Sequence, residues 1–333
     1  MPIKLFTNFL TYRLSQPLHP SDPEALSEAL SQKPARPLGS QELSCMGFIE
    51  PMDTEGEYAE LIRPGMVFIS ARKSERLLPG KVVRQAVDAK VREIEEDQMR
   101  KVYAKEKARI KDEVVQTMLP RAFVTHSRIN ALLAPPYLFV ETSSAKKADE
   151  LLSLLREAIG TLPVRPVATQ VSPIETFTDW VLHGGDTVPH PFALGESFQS
   201  RGASEESQTL SGKNVDLSLS DITQLIEAGR RVNQLELQSE DHTGAMTVFT
   251  VNEMLGIRGV QWPEDLMAEI EKELGEEGNH LEVLRATLLL LGNQISHLLA
   301  RLLHALGGEE IPVEGGAAGD TLSGDEADEE ELL

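Results

Sequence analysis

The stretch from Lys81 to Arg128 constrains this chain more than any other, because it is a long charged segment with helical periodicity that ends in the run LPRAF (Leu119 to Phe123). Val83, Val87, Val91 and Ile94 recur at helical spacing, with Gln98 continuing the row. Beyond Met99 the apolar residues Tyr103, Ile110, Val114 and Met118 fall on a different side of an ideal wheel. The sequence therefore predicts a helix that bends or changes its packing partner near residues 99 to 103. Lys101, Lys105 and Arg109 form one row of cations, and Arg100, Lys107 and Lys111 form a second.

Charge sharpens the point. Between Arg72 and Arg128 there are 15 Lys/Arg against 9 Asp/Glu, in a chain of formal charge -21. Two readings follow from the pattern alone. Interleaved Glu93, Glu95, Glu96, Asp97 and Glu106 fit a solvated mixed-charge face, whereas the local excess of cations fits a surface for a polyanion. Acidity is unevenly spread: the first 128 residues sum to +2, while residues 309–333 hold 10 acidic side chains and no basic one. That last stretch reads as a disordered tail.

With 333 residues, the chain is long enough for a large core and for two or three compact units. A lone cysteine, Cys45, excludes an intramolecular disulfide and reads as a small buried hydrophobe in a reducing compartment. The start MPIKLFTNFL lacks the features of a secretory signal, so the expectation is a cytoplasmic protein with no membrane partner.

Taken in order, the pattern predicts a strand over 8–14, a helix over 21–30, and strands at MGFIEPM and over 66–72 before the basic helix. Strands then follow at AFVTHSRI and over 137–143, with helices over 143–160 and 172–185; Ser172 and Glu175 have capping-box spacing. From His183 to Asn214 the Gly, Ser, His and Pro content reads as a flexible or strand-containing connection. A helix over 217–232, two strands around His242 to Gly244, and helices at PEDLMAEIEKEL and from His280 to Leu306 complete the chain. The last has a wide apolar face, Leu281 to Leu306, that invites a partner helix from a second subunit.

The predicted class is thus α+β. Expected divisions are an N-terminal α+β region over 1–186 that includes a basic arm over 80–119, a second α+β region over 187–308 ending in helices for dimerisation, and the tail over 309–333. No HExxH, zinc-finger, Walker, GxSxG or GxGxxG pattern occurs, and Glu240, Asp241 and His242 sit in a predicted turn. The expectation is no enzyme, no metal and no cofactor. Phe123, beside Arg121, reads either as a wedge for a nucleic acid or as the first core residue of a strand.

In NFLTYRLSQ (8–16), GSQE with MGF (39–48), SARKSERLLPGKVV (70–83), KDEVVQTMLPRAF (111–123), SSAKKADELLSLLREAIGTLPV (143–164) and DLSLSDITQLIEAG (216–229), the chain resembles the recombination-associated protein RdgC family of bacteria. The resemblance implies a non-enzymatic, sequence-independent binder of double-stranded DNA, with single-stranded DNA as a second form. It also implies a ring-shaped homodimer that antagonises the RecA recombinase and is associated with the nucleoid. By motif it assigns phosphate contacts to Arg72, Lys73, Arg76, Arg100, Lys101 and Arg121, a DNA-touching aromatic to Phe123, and one surviving member of a basic pair to Lys213, since Asn214 stands in the other place. The proline-rich connection over 17–37 and the acidic tail depart from the family pattern, and the tail's charge sets it to compete with DNA. Another class of reading is a regulator that binds the recombinase directly through the basic helix; a third is a nuclease.

Overall fold

The computed structural model describes residues 5–202, 208–241, 244–263, 266 and 280–311. Alternating patterns in the first half build one large antiparallel sheet. Its strands are β1 (Leu10–Leu14), β2 (Ser44–Ile49), β3 (Ala59–Arg63), β4 (Met66–Arg76), β5 (Val124–Ala134), β6 (Tyr137–Val140) and β7 (Val164–Pro166). The order is β2-β4-β5-β6-β1-β7, with β3 also pairing β4.

Strands β4 and β5 form the spine, in register from Val67 opposite Leu133 to Arg76 opposite Val124. Because side chains alternate across a strand, Val67, Ile69 and Ala71 share one face with Ile129, Ala131 and Leu133. Helices α1 (Pro23–Ser31) and α4 (Ala145–Ile159) cover that face with Leu26, Leu30, Leu151, Leu152 and Leu155. Asp22 caps α1 and Ser144 caps α4, and Gly160 ends α4 at φ +85°, where a side chain would be strained.

On the opposite face Met66, Phe68, Leu132 and Phe139 enter the main core. A small antiparallel sheet closes it from the other side, with strands β8 (Phe192–Arg201), β9 (Leu210–Gly212), β10 (Arg231–Glu240), β11 (Met246–Asn252) and β12 (Ile257–Gln261) in the order β12-β11-β10-β8-β9. Helices α5 (Pro173–Leu182) and α6 (Ser220–Glu227) pack into this layer. Phe9 and Ile257 exchange backbone hydrogen bonds of 2.9 and 3.0 Å and tie the two sheets together.

The main core surrounds the last helix, which follows α2 (Gly80–Gln98) and α3 (Ala104–Met118) in numbering as α7 (His280–Ala305). Leu288, Leu291, Ile295, Leu298, Leu299, Leu302 and Leu306 are all at most 1% exposed. The wide apolar face that the sequence offers to a second subunit is therefore filled within the chain. Its length and composition would also suit a membrane span, but its apolar side chains are the centre of a folded core. Contact with the large sheet is close: a Cβ on Gly292 would lie 2.7 Å from the Met66 side chain.

A polar network threads the sheet where the two layers meet. Asn130 accepts from Ser70 Oγ (2.7 Å) and Arg128 Nε (2.9 Å), and donates to Glu141 at 2.6 Å. Glu141 also accepts from the Phe6 backbone at 2.5 Å, and burial pushes its carboxyl above the usual range despite those bonds.

Several expectations change. The basic segment is two helices rather than one long helix. Strands β3, β7, β9 and β12 are short or edge elements without a clean alternation; of the two readings of 183–214, flexible or strand-containing, the second holds, since β8 and β9 lie there. Ser172 does begin α5, but its side chain makes no capping hydrogen bond. Cys45 is half-buried at a strand edge rather than a core residue. The predicted helix PEDLMAEIEKEL apart from Pro263 and Leu266, the turn residues 242–243 and residues 312–333 lie outside the described residues, whereas Glu309, read as tail, bridges to Thr169 and pairs with Arg13 at 2.5 Å.

Candidate nucleic-acid interface

Residues 77–123 are the connection between two neighbouring antiparallel strands, so the chain leaves the end of β4 and returns to the start of β5 at the same point. Leu77 N–H donates to the Phe123 carbonyl at 2.8 Å and closes the root. What a tight turn would do elsewhere is done here by a two-helix arm standing off the sheet.

Helix α2 ends at Met99, which takes φ +47° in the left-handed region and turns the chain back into α3. The two apolar rows seen in the sequence belong to two facing helices. Val83, Val87 and Ile110 are buried between them, with Leu78, Val91, Ile94, Val102, Val114, Val115 and Met118 packed around. This small core is separate from the two cores of the body. Lys107 Nζ meets Asp88 at 2.8 Å across the pair and holds that carboxyl below its ordinary range. A short turn over Leu119–Arg121, opened by the backbone-restricting Pro120, leads into β5.

Packing one face of each helix leaves the cations outside. Lys81, Arg84, Lys105, Arg109 and Lys111 are exposed, as are Lys101 and Arg121, and none of the seven makes an ion pair among the described residues. Phe123, at the root beside Arg121, is 83% exposed, and its neighbour Val124 is also exposed. An aromatic of that size in water at the foot of a cationic arm is not core. Of the two readings the sequence leaves open for Phe123, burial is the one that the geometry removes.

The remaining sequence-assigned residues divide by environment. Lys73 is 5% exposed, its Nζ 2.6 Å from Glu150 and 2.9 Å from Glu75; burial would depress its pKa, but the carboxylates outweigh it and the ammonium is held above its ordinary value. Arg76 gives its guanidinium to the carbonyls of Gly39, Glu42 and Leu119 and latches the arm root. In this single chain both are committed to structure. Arg100 grips Glu106 through two hydrogen bonds of 2.7 and 2.6 Å at the arm tip. Arg72, half-buried opposite Arg128, has a buried Nε with no hydrogen-bond partner among the described residues. Lys213 is exposed just after β9, at the edge of the small sheet.

Lys81, Arg84, Lys105, Arg109 and Lys111 escaped the motif-based assignment although all five stand on the arm. The signal for Lys81 and Arg84 was their i, i+3 relation within α2, and for the other three the cation rows of α3. As for bond-breaking chemistry, no group of three or more His, Cys, Asp or Glu side chains among the described residues is placed to hold a metal ion. Ser74 Oγ lies 2.8 Å from His126 Nδ1, but Ser74 is 2% exposed and closed to any substrate.

Comparison with known proteins covers nearly the whole length of the chain. The family model RdgC, described as "Putative exonuclease, RdgC", matches residues 5–309. Curated relatives carry the name "Recombination-associated protein RdgC": one from Pseudomonas paraeruginosa is 42% identical over 314 residues, covering 92% of this chain and 98% of its own. A second from Pseudomonas aeruginosa has the same identity and coverage, and one from Pseudomonas putida is 41% identical over 311 residues. The chain belongs to the RdgC family of recombination-associated proteins.

Proposed function

We propose that this chain is a non-enzymatic, sequence-independent double-stranded DNA-binding protein that closes around the duplex as a homodimer and restrains RecA-mediated recombination by occupying DNA. The observation that carries the reading is the concentration of exposed cations, unpaired among the described residues, on one arm and its root, beside the exposed Phe123, in a chain of charge -21. Phosphate neutralisation releases counterions and needs no base contacts, so such a surface binds duplexes of any sequence. An acidic exterior repels DNA from wrong faces, and encirclement lets a modest set of cations suffice. In this reading the exposed Phe123 presses an apolar wedge on a base step. Cytoplasmic, nucleoid-associated location follows from that role.

The description attached to the family model favours a second reading, an exonuclease. Phosphodiester hydrolysis by metal ions needs clustered carboxylates, so this reading predicts metal-dependent loss of intact DNA. A third, direct binding to the recombinase through the arm, predicts recombinase contact without affinity for naked duplex.

Gel shifts across a salt series, on a linear duplex and a closed circle, test the proposal with wild type beside the double variant Arg121→Ala/Phe123→Ala. Salt-steep binding to both DNAs, longer survival on the circle, weakening in the variant and full-length DNA recovered with Mg²⁺ are the expected results. Absence of binding at low salt would remove the clamp.

A further inference from the structure

Along the arm the two helices and Leu43 enclose an open groove of about 770 Å³. Val83, Val87, Ala104, Ala108 and Val115 give it an apolar floor. Arg84, Lys107 and Lys111 stand on its rim; Asp88, the acid there, is neutralised by Lys107. Leu43, at the base of the groove, is 55% exposed. A DNA backbone would use the rim but leave the apolar floor wet. The complementary ligand is an extended peptide with several carboxylates and a few aliphatic side chains.

This chain carries such a peptide. Residues 312–333 contain eight Asp/Glu, no Lys or Arg, and Leu322, Leu332 and Leu333; the stretch 325–333 reads DEADEEELL. They lie beyond the region that the family model matches, which ends at residue 309. Geometry permits the encounter. Just before the segment, Glu309 is fixed by Arg13 and by the Tyr137 hydroxyl at 2.7 Å, beside β7 at one edge of the large sheet. Strand β2 forms the other edge and β4, from which the arm grows, is next to it. Five strand spacings amount to about 24 Å, and the Arg13–Tyr137 level lies roughly ten residues along β5 from the arm root at Val124, about 33 Å, so the straight separation is about 40 Å. Twenty-two extended residues span about 70 Å, enough to cross the sheet and lie along the arm.

We propose that residues 312–333 dock in the arm groove, with leucines on the apolar floor and carboxylates on Arg84 and Lys111. Docking itself does not depend on the DNA reading. Its consequence does: the segment covers cations that would otherwise meet phosphate, so DNA and tail exclude each other from the arm.

The test uses full-length protein and no DNA, so its failure is distinct from failure of the clamp. One variant carries Asn/Gln in place of the eight acidic residues, with Leu332→Ser and Leu333→Ser; a second adds Arg84→Glu and Lys111→Glu, both exposed positions. A fluorescent peptide of residues 312–333 is titrated onto each. Binding to the first, weakened by at least about tenfold in the second because attraction becomes repulsion, is the expected result. Arm amides over 80–115 should also exchange more slowly in wild type than in the first variant, independent of protein concentration. Equal binding to both variants, no binding at all, or arm protection that rises with concentration regardless of the tail, which would mean a second copy in the groove, would each overturn the proposal.

Discussion

The body and the arm handle charge and apolar surface in opposite ways. On the spine of the large sheet, cations are absorbed: Lys73 is buried between Glu150 and Glu75, and Arg128 donates to Asn130, Ser70 and the Pro51 carbonyl. In the arm, three buried residues hold two helices together and seven cations of the arm and its root face water unpaired among the described residues. A large core can bear the desolvation of charges because their partners are fixed by many other contacts. A small one cannot, so charge stays outside where a polyanion can reach it. The difference teaches where to look for function: in the part with the least core per residue.

That contrast makes its largest prediction in stability. Leu291 and Ile110 are both buried, but Leu291 belongs to the core shared by both sheets and Ile110 to the core of the arm. Leu291→Ala should lower global stability by about 2–5 kcal/mol in a urea titration. Ile110→Ala should leave the global midpoint nearly unchanged and instead speed amide exchange over 80–118. Equal global losses would mean that arm and body unfold as one unit, and the distinction would fail.

A smaller effect separates structural cations from exposed ones. Lys73→Ala strands carboxylates that are still partly reached by solvent, with a loss of about 1–3 kcal/mol and a salt slope of DNA binding equal to wild type. Lys105→Ala should do the reverse: an unchanged melting temperature and a salt slope reduced by about one. The motif resemblance groups Lys73 with Arg72, Arg100 and Arg121, because a sequence run such as SARKSER records neighbours along a strand and not which of them points inward.

Much of the fold was legible because period and environment agree. The 11-residue strands β4 and β5 carry the β-rich runs MVFIS and INALLA, α4 has both a cap and a terminal glycine, and the shift of apolar phase at Met99 marked the break in the arm. What stayed hidden depended on distant partners. Helix α7 shows a broad apolar face whether it meets a second subunit or its own two sheets, and its sequence holds no trace of Met66 and Leu132 waiting for Gly292. For the site, exposure of Phe123 was equally unreadable: an aromatic at the start of a strand is usually buried, and only the root geometry of the arm puts it in water.

The smallest effect concerns Arg100, whose paired guanidinium sits on the arm yet behaves as body cations do. Its two bonds to Glu106 hold that carboxyl below the usual range, so their stabilising contribution is present above the ordinary carboxylate pKa and fades as pH falls through the lowered one. Both groups face solvent, and water screens the pair. Arg100→Ala should therefore leave the melting temperature at pH 7 within error of wild type. Binding then decides its class. If the guanidinium exchanges Glu106 for a phosphate, Arg100→Ala lowers the salt slope as Lys105→Ala does, while Glu106→Gln, which frees the guanidinium, tightens binding. If both variants bind as wild type, the pair is a clasp on the arm tip, and the cations that meet DNA are only those without a partner in the single chain.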